Sequence, residues 1–416
     1  MTARSERSYR ALFAVPKLGR ILLSMQLSRI GQSMVGVALV LFTLAKYDSP
    51  ALTGIVTLAS VLPGLLIAPI AGALLDRHGR TRLVIADYVV ALICLVLIGG
   101  LALIDALPVV LLLAITVVSS LTAIFSHTGL RSLFPLIVPE RLWERVNALD
   151  SNGYLVATIL GPPIAATLVS LVGGPLTLIL IGIVYGGAAI AMVGAPDPQT
   201  DTAERGSLLQ DAWDGIRYTW NNRTLRGLGF AISVVNLSGG MTTIVVPLII
   251  INRLGAPEPF VGLVYAASGV AGMIAALYFG RLDSRGREWS LLVLPIAGVA
   301  AADLLLLAGA DAGSAAIGVA IVALGLAIGG ALNGPMDIGL FTIRQRRTDP
   351  AWMGRAFAVS MAFNFLGYPI GAALAGVIAA VSIEAAIIVG AVACLVSAVI
   401  AAVMIPRHEP AIRGAS

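Results

Sequence analysis

The second half of this chain repeats its first. Gly54, Ser60, Gly64 and Gly72 recur 208 positions later as Gly262, Ser268, Gly272 and Gly280. The stretch Gly72-Ala-Leu-Leu-Asp76-Arg77-His-Gly79-Arg80 is then answered by Gly280-Arg-Leu-Asp283-Ser-Arg-Gly286-Arg287, with one residue deleted. Gly129, Arg145 and Gly161 return 210 positions on as Gly339, Arg355 and Gly371. Two parallel copies of an apolar unit imply a pseudo-symmetric pair of halves, the internal plan of many carriers.

Composition fixes the solvent of that unit. Hydrophobic residues make up 58% of the chain and charged residues only 12%, more apolar surface than a water-soluble core can hide. The net charge of +5 does not point to nucleic acid, because arginines concentrate in the cytoplasmic loops of membrane proteins. Apolar stretches near the ~20 residues that cross a bilayer predict twelve spans. They cover residues 21–44, 51–75, 83–103, 108–130, 146–171, 175–193, 228–250, 260–279, 291–310, 315–341, 357–380 and 383–405. The basic amino-terminal arm, Arg77, Arg80 and Arg82 after span 2, and Arg344, Arg346 and Arg347 after span 10 place both termini in the cytoplasm. All five tryptophans lie in or beside loops of that face.

The expected organisation is an arm over 1–20, a six-helix half over 21–194, a linker over 195–226, a second half over 227–405 and a tail over 406–416. Residues 197–204 read as flexible, whereas Leu209, Trp213, Ile216 and Trp220 recur at helical spacing. That spacing predicts an amphipathic helix on the cytoplasmic membrane surface. Cys94 and Cys394 fall inside spans and read as buried thiols. No Cys/His spacing suggests a metal, and neither a phosphate-binding loop nor a nucleophile elbow is present. The sequence therefore calls for no cofactor, no metal and no enzymatic chemistry, and nothing in it requires more than a monomer.

The loop Gly72-x3-Asp76-Arg77-x-Gly79-Arg80 resembles the signature between spans 2 and 3 of the major facilitator superfamily, and Gly280, Asp283, Gly286 and Arg287 resemble its degenerate second copy. The resemblance implies a cytoplasmic latch, to which Arg145 and Arg355 contribute. Asp87, one turn into span 3, is expected to brace the loop arginines, and Asp150 reads as a first-turn acid favoured by the positive helix terminus. Span 5 carries Ala148, Ala157, Gly161-Pro162 and Ala165-Ala166, similar in spacing to the superfamily's antiporter motif with alanine at four glycine places. Residues 139–148, Gly354-Arg355 and 215–226 further resemble bacterial exporters of the macrolide, tetracycline and enterobactin type. Many of those exporters place an acid in span 1 where this chain has Gly31-Gln32.

Ionisable groups inside spans, each costing about 2.5–3.5 kcal/mol at the bilayer centre, mark candidate pathways. Arg29 shares a helical face of span 1 with Gln26 and approximately with Gln32. His127 and Asp337 occupy equivalent places in the two repeats, and either residue type can carry a proton. The alternative for them is a helix-end polar cluster with Arg131 and Asn333. Asp303, deeper in span 9, is a weaker coupling candidate, with a position facing the outer vestibule as its alternative, and Asn236 and Asn364 are expected to line the cavity or bond between helices.

Together these features lead to an all-α integral membrane protein of the bacterial inner membrane, with twelve spans in two parallel six-helix halves. It would export small amphipathic molecules in exchange for protons, with membrane lipid as its surroundings and alternating access between the halves. A lysolipid or nutrient permease of the same fold, or a non-transporting receptor or assembly partner, are the competing expectations.

Overall fold

A computed structural model describes residues 9–197, 208–281, 286–349 and 352–407, and among them the regular structure is entirely helical. The first part comprises α1 (Tyr9–Phe13), α2 (Leu18–Tyr47), α3 (Pro50–His78), α4 (Arg80–Leu103), α5 (Val109–Ile137), α6 (Trp143–Val172) and α7 (Gly174–Met192). A connecting helix α8 (Leu208–Asn221) precedes α9 (Arg223–Pro247), α10 (Pro259–Phe279), α11 (Glu288–Ala310) and α12 (Ala315–Arg346). The chain ends in α13 (Met353–Phe365), α14 (Gly367–Ala379) and α15 (Ile383–Met404). Among the described residues, twelve helices are long and apolar enough to cross a membrane, where a helix is favoured because it satisfies its own backbone groups.

Several helices outrun the apolar stretches that announce them, since a helix continues through polar turns once its ladder is established. α12 reaches Arg346 and α5 reaches Ile137, five and seven residues beyond the apolar limits at 341 and 130. Span 11 is broken at Leu366 between α13 and α14. Pro369 explains the break, because it lacks the N–H that would bond the Phe365 carbonyl. α9 likewise ends at Pro247 and runs on as a π-helical turn, Leu248–Arg253.

The chain forms two compact units. The first holds residues 1–42 and 59–205, the second 43–58 and 206–416. In the first, α4 packs against α5 and α7; in the second, α12 packs against α10 and α11, and α9 against α14 and α15. The same glycine crossing is built twice. In the first unit a Cβ on Gly64 would lie 2.4 Å from the Ser120 carbonyl oxygen, and in the second a Cβ on Gly330 would lie 2.2 Å from the Ser268 oxygen. Gly272 faces Gly330 at 3.0 Å. Helices in lipid lack a strong hydrophobic reason to associate, so close backbone approach supplies packing attraction instead. Residues 43–58, at the end of α2 and the start of α3, pack with the second unit. There Gly54 would place a Cβ 2.4 Å from the Ala372 oxygen, and Gly376 would do so from that of Pro50.

Three residues read as loop charges are structural. Arg344 was expected to lie in a cytoplasmic loop, yet it is fully buried in the second unit. Its Nη1 donates to Met361 Sδ at 3.0 Å, its Nη2 to the Asn364 amide oxygen at 2.7 Å, and its guanidinium lies 5.5 Å from the Phe341 ring centre. Arg347 is also buried and donates to the Pro406 oxygen at 2.8 Å. Arg346 pairs with Glu288 of α11. Hydropathy counts charge without regard to where the helix carries it.

Asp197 is the second correction. Although expected in a flexible stretch, its carboxylate accepts from Thr81 N (3.1 Å) and Arg82 N (3.3 Å), while Thr81 Oγ1 donates to the Pro196 oxygen at 2.7 Å. It thus caps α4, whose preceding residue, Gly79, offers no side chain of its own. Beyond it, α8 exposes Trp213, Ile216 and Trp220, whereas Tyr218 stacks on Trp352 at 5.0 Å. The side chain of Leu209 lies outside the described residues.

Two measurements test these constraints. Asp197→Ala removes a cap and should cost about 1 kcal/mol of stability, read as a lowered thermal midpoint in detergent; an unchanged midpoint would show that the cap contributes nothing. Gly330→Leu should abolish monodisperse protein, whereas Gly239→Leu should be tolerated because nothing lies within 4 Å of a Cβ there. Equal yields from the two variants would contradict the crossing's role.

Candidate functional site

α2, α5 and α6 of the first unit bring five of the predicted polar residues together. Asp150, in the second turn of α6, holds two arginines: its Oδ1 pairs with Arg29 Nη2, and its Oδ2 accepts from Arg131 Nε at 3.3 Å. Arg29 also donates to the Asp150 carbonyl oxygen. Gln26 Nε2 donates to the Gly153 oxygen at 3.2 Å, and Gln32 bonds with His127. Access differs sharply within this set. The side chains of Arg29 and Asp150 are 12% and 9% exposed, but that of Arg131 is 64% exposed. Gln32 and His127 are exposed as well. Arg29 is therefore the satisfied member, and the open cation is Arg131.

The depth of these residues decides what they face. His127 lies ten residues before the end of α5 and Gln32 fourteen beyond the start of α2, roughly 15 and 21 Å along the helices. The Gln32 side chain is too short to reach a membrane surface from there, and polar groups in lipid are costly; its bond to His127 links it to the polar groups of α5. An open polar stripe at that depth fits a water-filled path.

Close packing sets the stripe's geometry. A Cβ on Gly153 would lie 2.4 Å from Gln26 Oε1, and one on Gly161 would lie 2.5 Å from Ser33 Cβ. Ala157, Ala165 and Ala166 are buried. This small-residue face, with Pro162 and Pro163 inside the helix, lets α6 approach α2 closely enough for Asp150 to meet Arg29. The side chain of Ala148 lies outside the described residues.

The second unit places its candidates separately. Asn333 and Asp337, one turn apart on α12, are both exposed. Asp337 has an attractive electrostatic interaction with Arg344. Asn236 Nδ2 donates to the Asn364 oxygen at 2.9 Å, and the buried Asn364 amide nitrogen donates to the Ser360 oxygen at 3.0 Å. These asparagines bond between helices. Asp303 does not face an outer vestibule. It is buried, accepts from Ser238 Oγ at 2.5 Å and lies 3.6 Å from Cys394 Sγ, beside a small pocket lined by Met241, Thr242 and Gly390. Cys94 and Cys394 are both buried and free.

At the loop after α3, Gly79 has φ +91°, and a Cβ there would lie 2.2 Å from Asp197 Oδ2. Arg80 is buried and its Nε donates to Ser132 Oγ at 3.1 Å, while Arg77 is exposed. Asp87 is buried in α4, with the hydroxyls of Ser126 and Thr122 on α5 among its polar surroundings. In the second copy, Gly286 has φ +75° and Arg287 precedes α11. A Cβ on Gly280 would lie 2.8 Å from the Ala276 oxygen, and Arg145 is partly buried. Asp283 lies outside the described residues, as do the side chains of Asp76 and Arg355 and the surroundings of Gly72.

Sequence reasoning treated Asp150 as a first-turn acid and overlooked Tyr154, one turn further along α6. Tyr154 is exposed, and the Arg29 guanidinium lies 6.0 Å from its ring centre. The available signal was an acid and an aromatic at helical spacing in a span otherwise rich in small residues.

Known proteins agree with this architecture. The family model described as Major Facilitator Superfamily matches residues 21–235 and 228–416. An uncharacterized MFS-type transporter of Sinorhizobium fredii is 34% identical over 407 residues, which cover 97% of this chain and 98% of the relative. Macrolide efflux protein A of Streptococcus pyogenes is 26% identical over 145 residues, 35% of this chain and 36% of that protein. Among solved structures, the nucleoside transporter NupG superposes with a TM-score of 0.73 at 14% identity over 93% of this chain and 97% of its own. A bacterial homologue of the iron transporter ferroportin reaches 0.71 at 16% identity, covering 94% and 98%. At such identities these two speak for the fold alone. A whole-chain family match, a close relative of equal length and twelve apolar helices converge: the chain is a member of the Major Facilitator Superfamily, an integral membrane transporter.

Proposed function

We propose that this transporter exports small amphipathic molecules from the cytoplasm by proton antiport, in a bacterial inner membrane with both termini cytoplasmic. The observation that carries the reading is the open polar stripe of Gln32, His127 and Arg131 on otherwise apolar spans, which suits a substrate with both apolar and polar parts. Export is supported by the small-residue face of α6 and by the partial similarity to a macrolide efflux protein. The twelve spans match no nucleotide-binding signature, so an ion gradient is the natural source of drive.

His127 and Asp337 are the proposed proton carriers. They sit at equivalent places in the repeat, both are exposed, and both residue types alternate between charged and neutral forms. The loops after α3 and α10 act as conformational latches, with Gly72, Asp76, Gly79, Arg80, Gly280, Asp283, Gly286, Arg287, Arg145 and Arg355 as their members. Alternating access then proceeds by rearrangement of the two repeats about the substrate path. α8 lies along the membrane surface through Trp213, Ile216 and Trp220, and a single chain suffices for transport.

Reconstituted vesicles provide the test. Efflux of a transported dye should stop when the proton gradient is collapsed with no other ion gradient present, and Asp337→Asn should slow gradient-driven efflux while leaving equilibrium exchange intact. Continued concentrative efflux after collapse would rule out proton coupling. Downhill movement alone, indifferent to the gradient, would identify a permease of the same fold.

A further inference from the structure

The stripe on the first unit has a definite electrostatic character. Both oxygens of Asp150 are occupied by arginines, so its single negative charge is spent inside the cluster. Arg29 and Arg131 contribute two positive charges against it, leaving one net positive charge. That charge is not distributed evenly. Arg29 is sequestered, whereas Arg131 offers a guanidinium that is 64% exposed and bonded to Asp150 only through Nε. Its two terminal nitrogens are the edge that binds carboxylates and phosphates through paired hydrogen bonds.

Two neighbours complete a recognition surface. His127 lies one turn before Arg131 on α5, engaged with Gln32. On α6, Tyr154 is 56% exposed one turn beyond Asp150, its ring 6.0 Å from the Arg29 guanidinium. An aromatic ring one turn from the acid that holds Arg131 supplies an apolar platform in the same cluster as an anion-binding edge.

We infer that Arg131 is the anion-recognition residue of the substrate path, and that the preferred substrates carry one net negative charge, as a carboxylate or phosphate group, on an apolar body that rests on Tyr154. Arg29 is a positioning residue: it holds the Asp150 carboxylate, which fixes Nε of Arg131 and turns its terminal nitrogens outward. A cation meets the opposite situation, since the cluster presents it with no unengaged carboxylate. This inference relies on the transport reading only in taking the open stripe as part of the substrate path.

Three probes matched in body and differing in head group test it: 2-naphthoate, 2-naphthylmethanol and 2-naphthylmethylammonium. Equilibrium dialysis with the purified full chain should find naphthoate bound about tenfold more tightly than either other probe, the value of one charge-assisted hydrogen-bonded pair. Arg131→Gln should erase that preference, Arg131→Lys should retain part of it, and Tyr154→Ala should weaken all three probes alike. Raising salt should weaken naphthoate selectively, a readout that needs no variant. Equal binding of the three probes, no binding of any, or an unchanged ranking in Arg131→Gln would overturn the assignment. Transport in vesicles separates this outcome from the broader reading. Gradient-driven efflux of the ammonium probe alone would remove the anion site and keep the exporter, whereas anion-selective binding without transport would do the reverse.

Discussion

The carboxylate of Asp150 is where three helices of the first unit meet. Its two oxygens join α6 to α2 through Arg29 and to α5 through Arg131. Arg29 and Asp150 would be costly if left alone in an apolar span, and breaking such a buried pair generally costs about 3–5 kcal/mol, whereas the exposed Arg131 adds only a weaker, water-screened tie. α2 and α6 are therefore held at one relative rotation, since turning either strands an ionised group. The close approach of Gly153 and Gly161 to α2 is the steric counterpart of that electrostatic requirement. Small residues allow the distance, and the charges select the angle.

The second unit solves the same problem with a different chemistry. Arg344 is buried, is attracted by Asp337 two turns back on the same helix, and engages an amide, a thioether and an aromatic ring. Through Asn364 and Asn236 this arrangement ties α12, α13 and α9 together. The delocalised guanidinium tolerates such partners better than a compact ammonium would. Pseudo-symmetry thus extends to the glycine crossings but not to the polar interior, where the two copies have diverged.

That divergence explains what could be read in advance. The paired glycines announced the repeat but not the crossings, and only the structure shows Gly64 and Gly272 at the close approaches of α3 to α5 and of α10 to α12. Twelve spans followed from the length of the apolar stretches. Partnerships were less legible. Arg29 was visible as an ionisable group in a span, but its acid lay 121 positions away and looked like an ordinary first-turn residue. Arg344 was hidden for the opposite reason: adjacent arginines at the end of an apolar run look like a cytoplasmic loop, and only the continuation of α12 carries one of them inside. Asp87 stood near arginines in sequence but has the hydroxyls of another helix among its surroundings. Sequence distance is a poor guide to the partner of a charge.

The cap that Asp197 places on α4 also determines where the first unit ends. Its last span finishes at Met192, yet a residue five positions later completes the start of a helix more than a hundred positions earlier. Dividing the protein into separately expressed halves would therefore leave the first half less stable, by the cap's worth of about 1 kcal/mol, unless the cut falls after that carboxylate. A cut at the visible end of the span would leave the amino end of α4 exposed, and no amount of the second fragment could restore it unless the severed segment came back in the right place. The linker is not merely a tether; its first residues are a detached piece of the bundle.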